Sequence, residues 1–169
     1  MVLVLPVGVL MNKSVQIETL RGVWLFERCS RSELAVVASV ATPVDVPAGK
    51  VLAREGEIGR EFYVIVAGEA EATRNGVRVA MLHSGSFFGE MALLDRQPRS
   101  ATVTTCEACE LLVLTHQAFT GIVETMPSVD RKMLGVLAGR LRDLADRYLP
   151  AERYEPAHAA RRVLVRQPT

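Results

Sequence analysis

Phe87-Phe88-Gly89-Glu90-Met91-Ala92-Leu93-Leu94-Asp95-Arg96-Gln97-Pro98-Arg99-Ser100-Ala101-Thr102-Val103 is the stretch on which the reading of this chain turns. Gly89 permits a close backbone approach, and Glu90 to Leu94 suffice for one helical turn whose first amides point outward without intrahelical partners. Amides presented in that way favour an anion. Pro98 fixes the entry to Arg99, whose planar guanidinium matches two oxygens of a phosphate, and the Ser100 hydroxyl and Ala101 amide add donors beside it. Gly89 and Ala101 are small enough to keep the space open. Glu90 is the discriminating residue: a carboxylate beside a phosphate repels it unless the carboxylate accepts a hydrogen bond from a neutral hydroxyl, and a ribose 2′-hydroxyl is such a donor. A bare Glu–Arg spacing reads more simply as an ion pair closing a surface loop, but the whole run of residues around it favours the pocket.

Around this stretch, from Thr42 to Thr115, short runs of Val, Ile, Tyr and Thr alternate with Gly, Pro and Asn, which is the punctuation of strands and turns. Strands are expected at Val44 to Val46, Val51 to Arg54, Phe62 to Val66, Glu69 to Arg74, Val77 to Leu82, Ala101 to Thr105 and Glu110 to Thr115. Turns fall at Pro47-Ala48-Gly49, Gly56 to Gly59, Ala67-Gly68 and Asn75-Gly76, the last a two-residue hairpin signal. Strands this short and evenly spaced favour a small barrel or jelly roll over a parallel α/β sheet. The class is therefore mainly β with flanking helices. Ser30-Arg31-Ser32-Glu33 is a capping box ahead of Leu34, Val36, Val37 and Val40, so a helix is expected from Arg31 to Val40, with a shorter amphipathic one at Ser14 to Arg21.

After His116 the period changes to that of a helix carrying Phe119, Ile122, Val123 and Met126, which Pro127 should end. A second helix is expected from near Ser128. Its Leu134, Leu137, Leu141, Leu144 and Tyr148 recur at spacings of three and four, which suits a plain packing helix, a lid or a dimer seam alike. Gly135 and Gly139 each lower its intrinsic stability by about 1 kcal/mol relative to Ala, so it should depend on what it packs against. Met1 to Met11 is apolar but interrupted by Pro6 and Gly8, shorter than the roughly 20 residues of a membrane span, and without the basic n-region of a signal peptide. Residues 1–13 are read as a flexible leader, with an alternative start at Met11 and a segment docking on a partner left open, and residues 150–169 as a flexible basic tail carrying Arg161, Arg162 and Arg166.

The 169 residues suit one domain, and 20 Lys and Arg against 19 Asp and Glu give a net charge of +1, which disfavours a nucleic-acid coat or a polybasic membrane binder. The three cysteines, Cys29, Cys106 and Cys109, make no disulfide framework. Cys106-x-x-Cys109 has no second ligand pair, and His83, His116 and His158 are scattered, so the reading is free thiols, no metal and a cytoplasmic location. No nucleophile, base and orienting group fall together, so no catalysis is expected.

Phe88-Gly89-Glu90-Met91-Ala92-Leu93-Leu94 followed by Pro98-Arg99-Ser100-Ala101-Thr102-Val103 resembles the phosphate-binding cassette of the cyclic nucleotide-binding domain family, which includes catabolite-activator-like regulators, kinase regulatory subunits and nucleotide-gated channels. The likeness runs from Leu20 to Leu149 and includes Val51-Leu52-Ala53-Arg54-Glu55-Gly56 and Phe62-Tyr63-Val64-Ile65-Val66-Ala67-Gly68. It implies an eight-stranded jelly roll, or double-stranded β-helix, with N-terminal helices and a C-terminal hinge and lid. The domain would span 14–149, with helices in 14–40, the β-roll in 42–115 and the hinge and lid helices in 116–149. Carried onto this chain, the resemblance implies a ligand site of Phe88, Gly89, Glu90, Met91, Ala92, Arg99, Ser100 and Ala101. Within it Glu90 would take the ribose 2′-hydroxyl, Arg99 the cyclic phosphate, and Ser100 with the amides of Ala92 and Ala101 the remaining phosphate oxygens. Leu134, Leu137 and Leu141 would belong to the lid. Trp24 stands where many members have Pro before the Leu25-Phe26 pair, a departure at the helical edge away from the pocket.

Arg99-Ser100-Ala101 is the form that bacterial cAMP binders of the family often carry, so cAMP is expected ahead of cGMP, although a serine hydroxyl can serve either base. No other cofactor is implied. Residues 150–169 are too few for the helix-turn-helix of the activator-like members, so the expectation is a sensor that contacts no DNA and acts through an effector protein in another chain. A homodimer through the 134–148 seam is a further partner that the Leu spacing admits. Two other expectations stand beside this one: a jelly-roll interaction domain that binds a protein and no nucleotide, and a regulatory module of a larger channel or enzyme.

Overall fold

Phe62, Val64 and Ile65 are fully buried along one strand, and that strand holds the middle of a sheet. A computed structural model describes residues 12–148. Among them the strands are β1 (Thr42–Val46), β2 (Val51–Ala53), β3 (Glu61–Ala67), β4 (Ala70–Arg74), β5 (Val77–Leu82), β6 (Phe87–Phe88), β7 (Thr102–Thr105) and β8 (Cys109–Thr115). They form two four-stranded sheets ordered β1-β8-β3-β6 and β2-β7-β4-β5, every pairing antiparallel. The chain crosses repeatedly from one sheet to the other, which makes the expected jelly roll. In the first sheet Phe62 lies opposite Leu114 and Val64 opposite Leu112; in the second Ala72 lies between Val103 and Ala80. The core is an apolar layer that includes Ile65, Ala70, Ala72, Phe88, Val103 and Leu111.

The described residues divide into two compact units, one ending at Arg131 and the other starting at Lys132. The first contains both sheets, α1 (Lys13–Gly22), a 3₁₀ turn at Trp24–Phe26, α2 (Arg31–Val40), α3 (Glu90–Leu94), α4 (His116–Thr125) and the first turn of α5 (Pro127–Tyr148). In the second, the rest of α5 leaves Leu134 and Leu141 exposed. Leu25 and Phe26 are buried while Trp24 is half-exposed at the helical edge. Of the leader read as 1–13, residues 1–11 lie outside the described residues, while Asn12 caps α1 and Lys13 opens it; the tail read as 150–169 and the side chains of Leu144 and Tyr148 also lie outside the described residues. Among the described residues no helix is long and apolar enough to cross a membrane.

Most differences from the sequence reading fall at strand ends. β6 has two residues, too few for alternation to reveal, and exists because Phe87 and Phe88 pair with Val64 and Tyr63 of β3. β2 stops at Ala53, where its register against β7 slips. β4 starts at Ala70 rather than Glu69, after Gly68 turns at a φ of 90°. Asn75 and Gly76 both take positive φ, 50° and 74°, as a two-residue hairpin requires. Pro127 was expected to end one helix; α4 in fact stops at Thr125, Met126 alone is extended (φ −119°, ψ 94°), and Pro127 opens α5, where its missing N–H costs no bond.

The capping box is complete: Glu33 N donates to Ser30 Oγ at 3.3 Å, and Ser30 N donates to Glu33 Oε2 at 2.7 Å. That backbone N–H is the first cause holding the Glu33 carboxyl below its ordinary range. A carboxylate with a lowered folded pKa gives stability that is fully present above its unfolded value of about 4.3 and is lost as pH falls through the folded value. Urea titrations should therefore show Ser30→Ala costing about 1 kcal/mol at neutral pH. Glu33→Gln should flatten the acid limb of the stability profile below about pH 4.3.

Candidate ligand-binding site

Three hydrogen bonds tie the loop after β2 to Arg99 and to the first residue of β7: Gly56 N donates to Arg99 O at 2.9 Å, Arg99 N to Glu57 O at 2.8 Å, and Glu55 N to Thr102 Oγ1 at 3.0 Å. They fix the backbone of Arg99 on both sides. Its side chain then turns inward and is 5% exposed. Nη2 donates to the carbonyl oxygen of Glu61 at 2.6 Å and Nη1 to that of Gly89 at 3.0 Å, with Glu61 Oε2 at 3.6 Å from Nη2. The guanidinium carbon lies 5.9 Å from the centre of the Tyr63 ring, which in turn stacks on Phe88 at 4.7 Å. Burial pushes the Tyr63 hydroxyl above its ordinary pKa, which keeps it neutral across the physiological range.

Two glycines make room for this cation. A Cβ on Gly59 would fall 1.8 Å from Arg99 Nε; one on Gly89 would fall 2.5 Å from Nη1 and 2.7 Å from Glu61 O. Gly89 also sits at a φ of 94°, which side-chain-bearing residues rarely adopt, and it is the N-cap of α3. An open recess of about 180 Å³ lies beside Arg99, lined by Val51, Arg54, Glu57, Ile58, Gly59 and Glu61 among others. Arg99 presents further N–H groups that suit an oxyanion.

Of the residues singled out from the sequence, Arg99 lines this recess. Phe88 is buried in the aromatic stack, Glu90 is fully buried at the first position of α3, and Ala92 is buried two residues on. Met91 and Ala101 are half-buried, and Ser100 is exposed. Glu61, Gly59 and Tyr63 were not assigned to the site by sequence reasoning. Gly56 to Gly59 was read as a turn, and the close spacing of its glycines was the available signal; nothing local marks Glu61, whose backbone carbonyl is what Arg99 meets. Away from the recess, Cys106 is exposed and Cys109 buried, and among the described residues no group of His, Cys, Asp or Glu is placed to hold a metal ion.

A double-stranded β-helix with a buried arginine beside a glycine-capped helical turn defines a small-ligand-binding domain. The family model described as cyclic nucleotide-binding domain matches residues 43–126. The cyclic AMP receptor protein of Thermus thermophilus is 30% identical over 143 residues, covering 82% of this chain and 66% of that protein. A cAMP-dependent protein kinase regulatory subunit of Mycosarcoma maydis is 34% identical over 150 residues, covering 83% of this chain and 26% of that protein. The regulatory domain of Toxoplasma gondii PKA, solved with cAMP, superposes with a TM-score of 0.68 at 27% identity, over 76% of this chain and 50% of that one. The chain belongs to the cyclic nucleotide-binding domain family. It spans 66% of the length of the first of these relatives and about a quarter of the second.

Both glycines are open to test. Gly89→Ala should cost about 1 to 3 kcal/mol in chemical denaturation, because the new methyl meets backbone as well as side chain at a left-handed φ. At Gly59→Ala the three nearest atoms all belong to the Arg99 side chain, so it should cost less stability and displace the guanidinium, seen as a changed Arg99 Nε–H chemical shift in NMR.

Proposed function

We propose that this protein is a cyclic nucleotide sensor, taking cAMP ahead of cGMP, which signals to an effector through its last helix. The observation that carries the reading is the buried Arg99 fork, held by two carbonyls at the edge of a recess large enough to admit a phosphate. Arg99 takes the cyclic phosphate, Ser100 and the amides of Ala92 and Ala101 the other phosphate oxygens, and Glu90 the ribose 2′-hydroxyl. The names of the Thermus relative and of the Toxoplasma complex support cAMP, as does Arg99-Ser100-Ala101. The domain regulates and does not catalyse.

Glu90 has no accessible surface, so reaching a ribose requires the α3 turn to move. α3 packs on β3 and α4, and α4 passes through the single extended residue Met126 into α5. Ligand binding thus reaches α5, where Leu134, Leu137 and Leu141 serve as lid or as the surface for an effector or second subunit. The ligand biases this switch by the difference between its affinities for the two arrangements and by nothing else.

Calorimetry with both nucleotides tests the reading. Wild-type protein should bind cAMP more tightly than cGMP, and Arg99→Ala should lose about 2 to 5 kcal/mol of cAMP binding while keeping its circular dichroism. Equal affinities in the variant and the wild type would remove Arg99 from the site. Wild-type protein that binds neither nucleotide would leave the protein-partner reading in its place.

A further inference from the structure

The carboxylate of Glu61 stands 3.6 Å from Nη2 of Arg99, and both residues line the recess. Its geometry is set locally: Arg60 N donates to Glu61 Oε2 at 3.2 Å, which turns the side chain back toward the arginine. The two partners differ sharply in exposure, 5% for Arg99 and 46% for Glu61. The contact that holds Arg99 in place is the backbone carbonyl of Glu61, at 2.6 Å, and any residue at position 61 supplies that carbonyl. The side-chain charge is therefore separable from the structural contact. Nearby charges on the recess are Arg54 and Glu57, so Glu61 cancels locally what Arg99 offers to an anion.

We infer that Glu61 is a built-in competitor of the ligand phosphate, a carboxylate that partly neutralises Arg99 and sets the nucleotide affinity of this chain below what its arginine could reach. The inference rests on the cyclic nucleotide reading and adds to it a residue that tunes rather than makes the site. A cyclic phosphodiester carries one negative charge, and on arrival it both shares the guanidinium with Glu61 and is repelled by it. The cost of that sharing is the free energy of a half-exposed ion pair, which is modest and screened by salt.

Fluorescence titration of the full chain with cAMP, at low and high ionic strength, tests this with two variants. Glu61→Gln and Glu61→Ala should each bind about three- to fivefold more tightly than wild type at low salt. The advantage should shrink as salt is raised to about 0.5 M. A merely structural role would separate the two variants, since Gln keeps the side-chain volume and Ala does not, and it would be indifferent to salt. Melting curves without ligand confirm that both variants fold. Unchanged or weaker binding in both, with wild type still binding cAMP, overturns the inference and leaves the cyclic nucleotide reading intact. Wild-type protein that binds no cyclic nucleotide overturns the reading itself, and the inference falls with it.

Discussion

A guanidinium taken out of water is costly unless its charge and its N–H groups find partners, and the fold around Arg99 is arranged to meet that demand. The partners come from separate parts of the chain: the carbonyl at the start of β3, the carbonyl at the cap of α3, and the face of Tyr63. Backbone bonds from Gly56 and to Glu57 hold the arginine from the remaining side. One side chain thereby fixes a strand end, a helical turn and a loop relative to one another. The glycines at 59 and 89 are the steric counterpart, since a methyl at either position meets the arginine. The geometry that stabilises this corner is also the geometry that places a cation at the recess.

The neighbouring residues Phe62 and Tyr63 explain how such a corner is joined to the helices. Successive side chains of a strand point to opposite faces. Tyr63 accordingly stacks on Phe88 beneath Arg99, while Phe62 stacks on Phe119 of α4 with ring centres 4.6 Å apart and lies 5.7 Å from Phe87. β3 thus touches the site with one face and the helix leading to Met126 with the other. Interiors packed this closely pass displacement on, because a shifted ring has no void to move into.

What the sequence made legible follows the range of the interactions involved. The capping box at Ser30, the hairpin at Asn75-Gly76, the single helical turn after Gly89 and the change of period at His116 are local, and local chemistry decides them. β6 escaped because a two-residue strand has no periodicity and is created by its partner. Arg99 could be proposed as an anion ligand from its own neighbourhood, yet Glu61 and Gly59 meet it only because β3 and the preceding loop fold back across it, a contact between positions 38 residues apart in the case of Glu61. Nor does sequence reveal that Glu90 is closed off from solvent, for burial belongs to the packed chain.

The start of α5 is subject to a constraint of its own, which bears on any movement through Met126. Glu33 uses one carboxylate oxygen to cap α2 and the other to accept from Ser128 Oγ at 3.3 Å, and Cys29 Sγ lies 3.6 Å from the same hydroxyl. Burial is the first cause that raises the Cys29 thiol above its usual pKa, so this partner stays neutral. A carboxylate near the first turn of a helix is favoured by the exposed amides there, so Glu33 supports the starts of α2 and α5 together. The first turn of α5 is therefore fastened to the N-terminal helices as well as to α4. A rotation about Met126 must either break the Ser128 contacts or carry Cys29 and the cap of α2 with it. Each of these contacts is weak and replaceable by water, so their loss opposes the movement only modestly.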